Sequence, residues 1–439
     1  MNVLWQIGYN VLFVVGFLLS WPYFTYRLRK RGHLWRDFGT RLGLFGKKLR
    51  RKLAPGVDLW IHAVSVGEVM LASVLLRQMR EENPGLRVVI STTTQTGQRL
   101  AKKLEDERTT VIYNPTDFYW GVRHAFHVIR PKVLVLVEAE IWPNYIWQAR
   151  RRNIPICILN TRLSPRTEAR YRKLRWFCRP VLRLVNLVFA QHPSDIERLV
   201  AAGFAPEAIF PVGSLKYEVA DLPEGDGTSV DAWWSRLGWG PENLIFLGGS
   251  THNGEEEILA RIYRELKPEF PHLRLVLAPR HAERGGQVAD ICQSLGLNWA
   301  RRSAVAEETM PVNSPDVLIL DSTGELRAAY RKADIVFIGK SLRSKGGQNF
   351  IEAARVGVPV LVGPNMQNFA HLTVEFLTRD GIVQVLDEFE LAQRLRELLS
   401  SAARRQELGR QAQEIFSSNL GAGRTSARII AGCLAHSRA

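Results

Sequence analysis

Three acidic side chains in the first half of the sequence follow apolar segments, where a carboxylate could act as a general base. Glu68 closes the string HAVSVGE, and Glu138 and Glu140 lie in the string VEAEIWPN. Glu138 and Glu140 are two residues apart, so their side chains share a direction in extended backbone. A carboxylate within hydrogen-bond reach can take the proton of an attacking hydroxyl. We therefore predict Glu68, Glu138 and Glu140 as candidate catalytic residues.

Each of these acids also has a structural explanation. Ser65 and Glu68 have the spacing of a capping box, in which the two side chains bind backbone N–H groups at the start of a helix. Glu138 and Glu140 could form ion pairs or begin the helix ahead of Pro143. The residues alone leave both the catalytic and the structural interpretation open.

The second half of the sequence combines small residues with groups that can bind an anion. Four strings have this character: GGSTHNGEEE (248–257), APRH (278–281), DSTGE (321–325) and KGGQNFIEAA (345–354). Backbone N–H groups at helix starts bind phosphate, and arginine adds a forked donor. Each string alone is common in α/β proteins, but four in one half indicate a nucleotide-binding site.

The elements that would position these groups are short apolar strands that alternate with amphipathic helices. Two series of such segments are present: 59–64, 87–92, 110–113, 132–137, 154–159 and 187–191, then 244–249, 273–278, 316–321, 334–339, 358–363 and 382–385. Near-continuous apolar strands separated by helices predict parallel sheets covered on both faces. No GxGxxG follows the first strand of either series, which disfavours a dinucleotide enzyme. We predict an α/β protein with two Rossmann-like domains.

The N-terminal segment has the composition of a membrane anchor. Residues 3–26 carry no charge, whereas residues 27–52 carry eleven Lys or Arg against Asp37 alone and so hold most of the net charge of +16. A helix of about 20 apolar residues can cross a bilayer, although Gln6, Asn10 and Ser20 weaken the pattern and Pro22 could kink the helix near its end. A signal peptide would carry its basic residues before the apolar run. The positive-inside rule then places residues 27 onward in the cytoplasm.

The basic segment that follows has three interpretations. It could serve only as an orientation signal, or it could lie in the interface and contact anionic lipid through its mixture of apolar and basic side chains. Nucleic-acid binding is the third, and the chain shows no recognition motif that would support it. The predicted domains are 1–26 (anchor), 27–56 (basic interfacial segment), 57–217, 218–243 (linker), 244–403 and 404–439 (helical tail). The four cysteines are scattered and predict neither disulfides nor a metal site.

Taken in order, the strings resemble the 3-deoxy-D-manno-octulosonic acid (Kdo) transferases. The match rests on HAVSVGE, VEAEIWPN, NTRLS (160–164), GSLKY (213–217), STHNGEE (250–256), PRH (279–281), STGEL (322–326) and GGQNFIEAA (346–354). The resemblance implies a GT-B fold, in which two Rossmann-like domains face a cleft behind an N-terminal membrane-anchor helix. It implies an inverting transfer of Kdo from CMP-Kdo to a lipid A precursor in lipopolysaccharide synthesis, with no cofactor beyond the donor substrate. It also implies a location at the inner (cytoplasmic) membrane, with the catalytic domains on the cytoplasmic side.

The resemblance also assigns roles to individual residues. Glu68 would be the general base, with Glu138 and Glu140 as further catalytic candidates. The residues predicted to bind the CMP donor are Ser250, Thr251, Pro279, Arg280, His281, Thr323, Gly324, Glu325, Asn349, Phe350, Ile351 and Glu352. The chain departs from the family pattern at Gln348, where His is usual, at Lys340, where Gly is usual, and at Thr40, where Glu is frequent.

Three other functions remain as alternatives. One is a GT-B transferase that uses a UDP-sugar, and another is a sugar-nucleotide epimerase, which would need neither a lipid acceptor nor an anchor. The third is a membrane-tethered nucleic-acid-binding protein, although we expect no nucleic acid among the partners. The expected partners are CMP-Kdo, a lipid A precursor and anionic membrane lipid. No DxD-type cluster lies in a plausible donor loop, so we predict no metal.

Overall fold

The computed structural model describes residues 3–30, 38–138, 141–163, 165–222, 228–304 and 314–436, with the backbone alone at 21–30, 165–166, 228–229 and 436. The chain forms two compact units, Met1–Val219 with Leu420–Ala439, and Ala220–Asn419. Glu140 and residues 31–37 of the predicted basic segment lie outside the described residues.

The first unit is built on a parallel sheet whose strands are mostly Val, Ile and Leu. Its strands are β1 (Val57–His62), β2 (Val88–Thr92), β3 (Thr109–Tyr113), β4 (Pro131–Val137), β5 (Ile156–Thr161), β6 (Leu187–Ala190) and β7 (Ile209–Pro211). Their order is β3-β2-β1-β4-β5-β6-β7. Every residue of β1 and β2 is buried, as expected where helices cover both faces of a parallel sheet.

The helices of this unit follow the amphipathic segments between the strands. They are α1 (Val3–Lys30), α2 (Phe38–Arg41), α3 (Lys47–Leu53), α4 (Val66–Glu82), α5 (Gln95–Ala101), α6 (Tyr119–Ile129), α7 (Pro143–Arg151), α8 (Pro165–Lys173), α9 (Arg175–Leu182), α10 (Asp195–Ala202) and α11 (Lys216–Asp221), which begins in this unit. Within the described part of the chain, only α1 is long and apolar enough, over Val3–Ser20, to cross a membrane.

The second unit repeats the same plan. Its strands are β8 (Leu244–Thr251), β9 (Leu273–Pro279), β10 (Trp299–Arg301), β11 (Val317–Ile319), β12 (Ile335–Ile338), β13 (Val360–Val362) and β14 (Val383–Gln384), in the order β10-β11-β9-β8-β12-β13-β14. Its helices are α12 (Thr228–Trp234), α13 (Glu255–Leu266), α14 (Gly285–Ser294), α15 (Leu326–Tyr330), α16 (Ile351–Arg355), α17 (Ala370–Thr378), α18 (Glu388–Ser400) and α19 (Ala402–Ser418).

The predicted class, two Rossmann-like parallel sheets with helices, is confirmed. The pattern misses β7 and β10, edge strands that are only partly buried and do not form a continuous apolar run. In the first sheet the strand order reverses between β1 and β4, and in the second between β8 and β12. Ligands of open α/β sheets bind at the carboxyl ends of the strands beside such a reversal. We therefore expect functional residues at the carboxyl ends of the strands beside these two reversals, which we call the carboxyl edges of the two sheets.

The units divide the chain differently from the predicted boundaries at its C-terminal end. The predicted tail 404–439 holds most of α19, which belongs to the second unit, and a last helix, α20 (Ala422–His436), which belongs to the first. Gly423 lies against Val74 of α4, and the Glu218 carboxylate accepts the N–H groups of Gly421 and Gly423 at 3.0 and 2.8 Å. The predicted linker 218–243 includes the end of α11 and all of α12.

Candidate active site

Glu68 lies in the first turn of α4, just beyond the carboxyl end of β1. Ser65 is the N-cap of this helix and its hydroxyl receives the Glu68 N–H at 3.5 Å. The Glu68 carboxylate accepts the Val64 N–H at 2.7 Å and the Ser65 hydroxyl at 2.8 Å. The capping interaction expected from the spacing is therefore present, and it fixes the carboxylate. Each carboxylate oxygen has two lone pairs, so a carboxylate fixed in this way can accept more than one hydrogen bond.

Glu138 directly follows β4, the strand next to β1, and has unusual backbone geometry. Its φ is 59°, in the left-handed region, while its N–H donates to the Leu159 carbonyl at 2.8 Å. A non-glycine residue in this conformation costs roughly 1–2 kcal/mol. Such strain is concentrated at functional sites, where the surrounding structure enforces it. Because β1 and β4 are adjacent, Glu68 and Glu138 belong to the same edge of the sheet.

Two cations, Arg162 and Lys216, lie near Glu138. Arg162 follows β5 and Lys216 begins α11. Burial lowers the pKa of Lys216, and the nearby Glu138 carboxylate acts in the opposite direction. Burial likewise lowers the pKa of Arg162, again against the effect of Asp195 and Glu138. A half-buried acid and two partly buried bases therefore share this edge, an arrangement typical of functional sites.

Asn160 holds the loop that leads to Lys216. It is fully buried in β5 beside a register irregularity and has a φ of 56°. Its Oδ1 accepts the Leu215 N–H at 3.0 Å, whereas its buried Nδ2 makes no hydrogen bond within the described residues. Sequence reasoning did not name Asn160, Arg162 or Lys216 as candidates. Their signal lay in the strings NTRLS and GSLKY, which were noticed only as parts of a resemblance.

In the second unit, the N–H groups after β12 are occupied by an acid of the same unit. Glu255, at the start of α13, is 1% exposed. Its carboxylate accepts the N–H groups of Lys340, Ser341, Leu342 and His252 at 2.7, 3.0, 3.0 and 2.9 Å. These donors could otherwise have bound a phosphate. These four N–H groups are therefore not available to an anion at this edge.

The other acids of this edge are also paired internally. Glu256 accepts both terminal nitrogens of Arg284 at 2.6 and 3.3 Å and the Thr251 hydroxyl at 3.0 Å. Further pairs join Asp321 to Arg301 and Ser303, and Glu325 to Arg302 and Trp233. Desolvation opposes ionisation of Asp321, but the bonds from Ser303 and Arg301 hold its pKa below the usual value.

Two cations of the same edge have no internal partner. Arg280 follows β9 and is exposed, with its N–H bonded to the Thr251 carbonyl at 3.0 Å. Lys340 follows β12 with a φ of 57°. Neither side chain makes a hydrogen bond or ion pair within the described residues. Burial lowers the pKa of His252, and the nearby Lys340 charge contributes in the same direction. These groups can attract an anion.

The remaining predicted donor residues fall into two groups. Thr323, Gly324 and His281 are exposed and available to a ligand. The others are part of the fold. Thr251 and Pro279 are buried, Phe350 and Ile351 are 0% exposed, and Ser250 has a left-handed φ of 53°. Asn349 Oδ1 accepts the Ile351 N–H at 3.2 Å, and its Nδ2 donates to Glu352 at 3.3 Å. The side chains of Phe350 and Ile351 therefore belong to the core. The donor-site assignments remain predictions.

Comparisons with known proteins agree on one family. Residues 36–219 match the family described as "3-Deoxy-D-manno-octulosonic-acid transferase (kdotransferase)". The chain is 33% identical to a protein named 3-deoxy-D-manno-octulosonic acid transferase from Haemophilus influenzae, over 87% of this chain and 88% of that one. A protein of the same name from Bordetella pertussis is 31% identical over 92% of this chain and 94% of its own length.

Solved structures share the architecture at much lower identity. The UDP-GlcNAc 2-epimerase from Neisseria meningitidis bound to UDP-GlcNAc has a TM-score of 0.60 and 13% identity, covering 86% of this chain and all of the epimerase. A putative UDP-N-acetylglucosamine 2-epimerase from Listeria monocytogenes has a TM-score of 0.59, also at 13% identity. At this identity the likeness concerns the fold, since one fold carries many activities.

Proposed function

Because this chain belongs to the 3-deoxy-D-manno-octulosonic acid (Kdo) transferase family and is therefore a glycosyltransferase, we propose that it transfers Kdo from CMP-Kdo to a lipid A precursor in lipopolysaccharide synthesis. The observation that carries this proposal is the difference between the two sheet edges. One presents carboxylates beside cations, and the other presents cations whose neighbouring acids are already paired.

The edge of the second sheet is proposed to hold the donor. Arg280 and Lys340 would bind the phosphate of CMP. Lys340 follows β12, at the reversal of strand order, and Arg280 follows β9, the neighbour of β8. Neither side chain has an ion-pair partner among the described residues. Thr323 and Gly324, exposed after β11, are available to the rest of the nucleotide. As CMP leaves, negative charge develops on its phosphate, and prepositioned cations stabilise that charge. The proposed donor site therefore needs no cofactor.

The edge of the first sheet is proposed to activate the acceptor. The acceptor hydroxyl oxygen attacks the anomeric carbon of Kdo as the bond from that carbon to the phosphate oxygen breaks, and CMP departs with the bonding electrons. The hydroxyl proton passes to Glu68, whose carboxylate is held by Val64 and Ser65. Attack from the face opposite the leaving group inverts the anomeric centre.

The reaction is proposed to occur at the cytoplasmic face of the inner membrane, where anionic lipid would meet the N-terminal region. The apolar helix over Val3–Ser20 and the excess of basic residues after it support this location.

A product assay tests the proposal directly. Purified protein is incubated with CMP-Kdo and a lipid A precursor, and the lipid product is weighed by mass spectrometry. We expect a mass increase of one or more Kdo residues that requires both substrates. A thermal-shift comparison is the matched control: CMP should raise the melting temperature and UDP should not. Stabilisation by UDP alone, without a Kdo product, would favour the UDP-sugar alternatives.

A further inference from the structure

Helix α1 does not stand apart from the first unit; one of its faces is packed against it. The packed residues, Trp5, Tyr9, Phe13 and Phe17, recur every four positions and so share one side of the helix. The ring centroids lie 5.0 Å apart for Trp5 and Trp176, 5.5 Å for Tyr9 and Trp147, 5.3 Å for Phe13 and Phe118, and 4.8 Å for Phe17 and Phe118. This spacing places a stretch of about 18 Å of helix along the domain.

Polar contacts reinforce the same face. The Tyr9 hydroxyl donates to Asp117 at 2.7 Å, and Asn10 and Asn144 exchange hydrogen bonds at 2.9 and 3.3 Å. Arg151 donates to the side chain of Gln6. Burial raises the pKa of Asp117 to about 7, with its hydrogen bond from Tyr9 acting in the opposite direction. Gln6 and Asn10, which weaken a membrane-spanning pattern, are therefore docking residues.

The opposite face of α1 is apolar and uncovered. Its exposed residues, 41 to 79% accessible, are Val3, Leu4, Ile7, Val11, Leu12, Val14, Val15, Leu18 and Leu19. A contiguous apolar strip of this length is rarely left in water and marks an interaction surface. Because the other face of α1 is packed against the first unit, the apolar strip faces away from that unit.

Basic and aromatic side chains flank the docked stretch at both ends. Next to Trp5 lies α9 with its exposed Trp176, preceded by the exposed Lys173 and followed along the chain by Arg179. Next to Phe17 lie Phe118 and the start of α6, where Trp120 is 73% exposed. The neighbouring α3 packs on α6 and exposes four basic residues: Lys47, Lys48, Arg50 and Arg51.

These residues form two patches at opposite ends of the docked stretch. The α8–α9 patch consists of Lys173, Trp176 and Arg179, and the α3–α6 patch consists of Lys47, Lys48, Arg50, Arg51 and Trp120. The positions of the two patches distinguish between orientations of the helix. If docked α1 crossed a bilayer, one patch would lie about 18 Å deeper than the other, within the hydrocarbon. Exposed lysine and arginine are costly there. If α1 lies flat, both patches reach the same level, where basic and aromatic residues meet headgroups while the apolar strip enters the acyl boundary.

We propose that α1, docked on the first unit through Trp5, Tyr9, Phe13 and Phe17, lies in the plane of an anionic bilayer surface instead of crossing it. The α8–α9 and α3–α6 patches then form the two ends of one membrane-binding face. This inference rests on one part of the proposed function, namely that the protein acts at a membrane. It specifies how the enzyme meets lipid and is independent of the chemistry of transfer.

Immersion depth measured by spin labels tests this arrangement. Single cysteines replace Leu4, Val11 or Leu18 in the full chain, with Cys178 and Cys433 changed to Ser, and depth is read in phosphatidylglycerol-containing vesicles. These positions are seven residues apart and share the exposed face. We expect one shallow depth for all three labels. A steady change of about 1.5 Å per residue, roughly 21 Å from Leu4 to Leu18, would overturn the proposal.

The docking contact is tested by melting temperature in detergent. Tyr9→Phe removes the hydroxyl that binds buried Asp117, so the docked arrangement predicts a fall of at least about 2 °C. Leu12→Ala, on the exposed face, is the control and should change nothing. Equal melting temperatures for Tyr9→Phe and the parent protein would mean that α1 is undocked, against the proposal. Transfer activity is measured separately on the same proteins, so a failure of the proposed function would be recognised independently.

Discussion

The carboxyl edges of the two sheets have the same architecture but opposite use of charge. In the first unit Glu138 remains at the edge, beside Arg162 and Lys216, and Glu68 is fixed by two hydrogen bonds. In the second unit Glu255 is directed inward, where it binds four backbone N–H groups. Equivalent positions of a repeated fold can therefore supply either a reactive carboxylate or a structural one.

The cations show the complementary difference. Arg162 and Lys216 of the first unit lie near acids and are partly buried, so their charges are compensated where they stand. Arg280 and Lys340 of the second unit have no such partner within the described residues. Because Glu256, Asp321 and Glu325 are paired with arginines while Arg280 and Lys340 are unpaired among those residues, these two cations can attract an anionic ligand. The first edge suits proton removal, and the second suits a phosphate.

The largest expected effect comes from Glu68→Gln, which tests the reactive carboxylate. Glutamine keeps an acceptor for the Val64 N–H, so we expect the melting temperature and CMP affinity to stay nearly unchanged. Loss of a general base should lower kcat by roughly 10²–10⁴-fold, or about 2.7–5.4 kcal/mol. Single-turnover assays of this variant beside Glu138→Gln and Glu140→Gln identify which acid takes the proton. More than about a tenth of normal kcat in Glu68→Gln would assign this residue to capping alone.

The same substitution at Glu255 should act on stability instead. An amide group in place of the buried carboxylate leaves two of its four N–H partners facing a donor. Each unsatisfied buried donor costs about 1–3 kcal/mol, so we expect Glu255→Gln to lose about 2 kcal/mol or more of unfolding free energy. Urea denaturation measures this loss. Unchanged stability would show that the inward-directed acid is not structural, and the contrast between the edges would fail.

Arg280→Ala tests whether the unpaired cations bind the donor. Removing a charge-assisted contact should cost about 1.5–3 kcal/mol, which raises the Kd for CMP roughly 10–150-fold. The guanidinium contacts no described partner, so the melting temperature should be unchanged. Isothermal titration with CMP makes the measurement, and Arg404→Ala, an exposed arginine of α19, is the matched control. Normal CMP affinity together with unfolding would instead make Arg280 a structural residue.

Lys340→Gly has the smallest expected effect. It distinguishes a role of Lys340 in CMP binding from the cost of its left-handed backbone conformation. Lys340 has a φ of 57°, and glycine adopts that conformation without penalty, so stability should be equal or higher. Losing a half-exposed charge should cost up to about 1 kcal/mol, or roughly fivefold in CMP affinity. Calorimetry and CMP titration give the two values. A less stable variant with normal CMP affinity would show that the lysine supports the fold.

Local patterns in the sequence were sufficient for the elements and for one site residue. Apolar runs of four to eight residues separated by amphipathic segments predicted twelve of the fourteen strands, because burial on both faces dictates their composition. Ser65 and Glu68 are three residues apart, so their mutual capping was also predictable. The edge strands β7 and β10 are only partly buried and include Pro211 and Arg301, so they lack the continuous apolar run that marks the other strands.

The arrangement of charges could not be read in this way, because it joins distant segments. Glu255 meets the loop after β12 across 85 to 87 residues, and Asn160 meets Leu215 across 55. The sequence shows an acidic residue at each of these positions. It does not show whether the carboxylate is already engaged by hydrogen bonds within the fold. That distinction depends on which backbone donors the crossing strands bring within reach.

Helix α1 separates the two kinds of information most clearly. Its length, lack of charge and basic continuation are determined by the sequence alone, and together they predict contact with a membrane. Which face is covered was decided by the tertiary structure, since Tyr9 meets Asp117 across 108 residues and Asn10 meets Asn144 across 134. The apolar composition of α1 reflects the cost of exposing apolar side chains to water. Its orientation depends on packing partners from distant segments, which come together only when the sheet has formed.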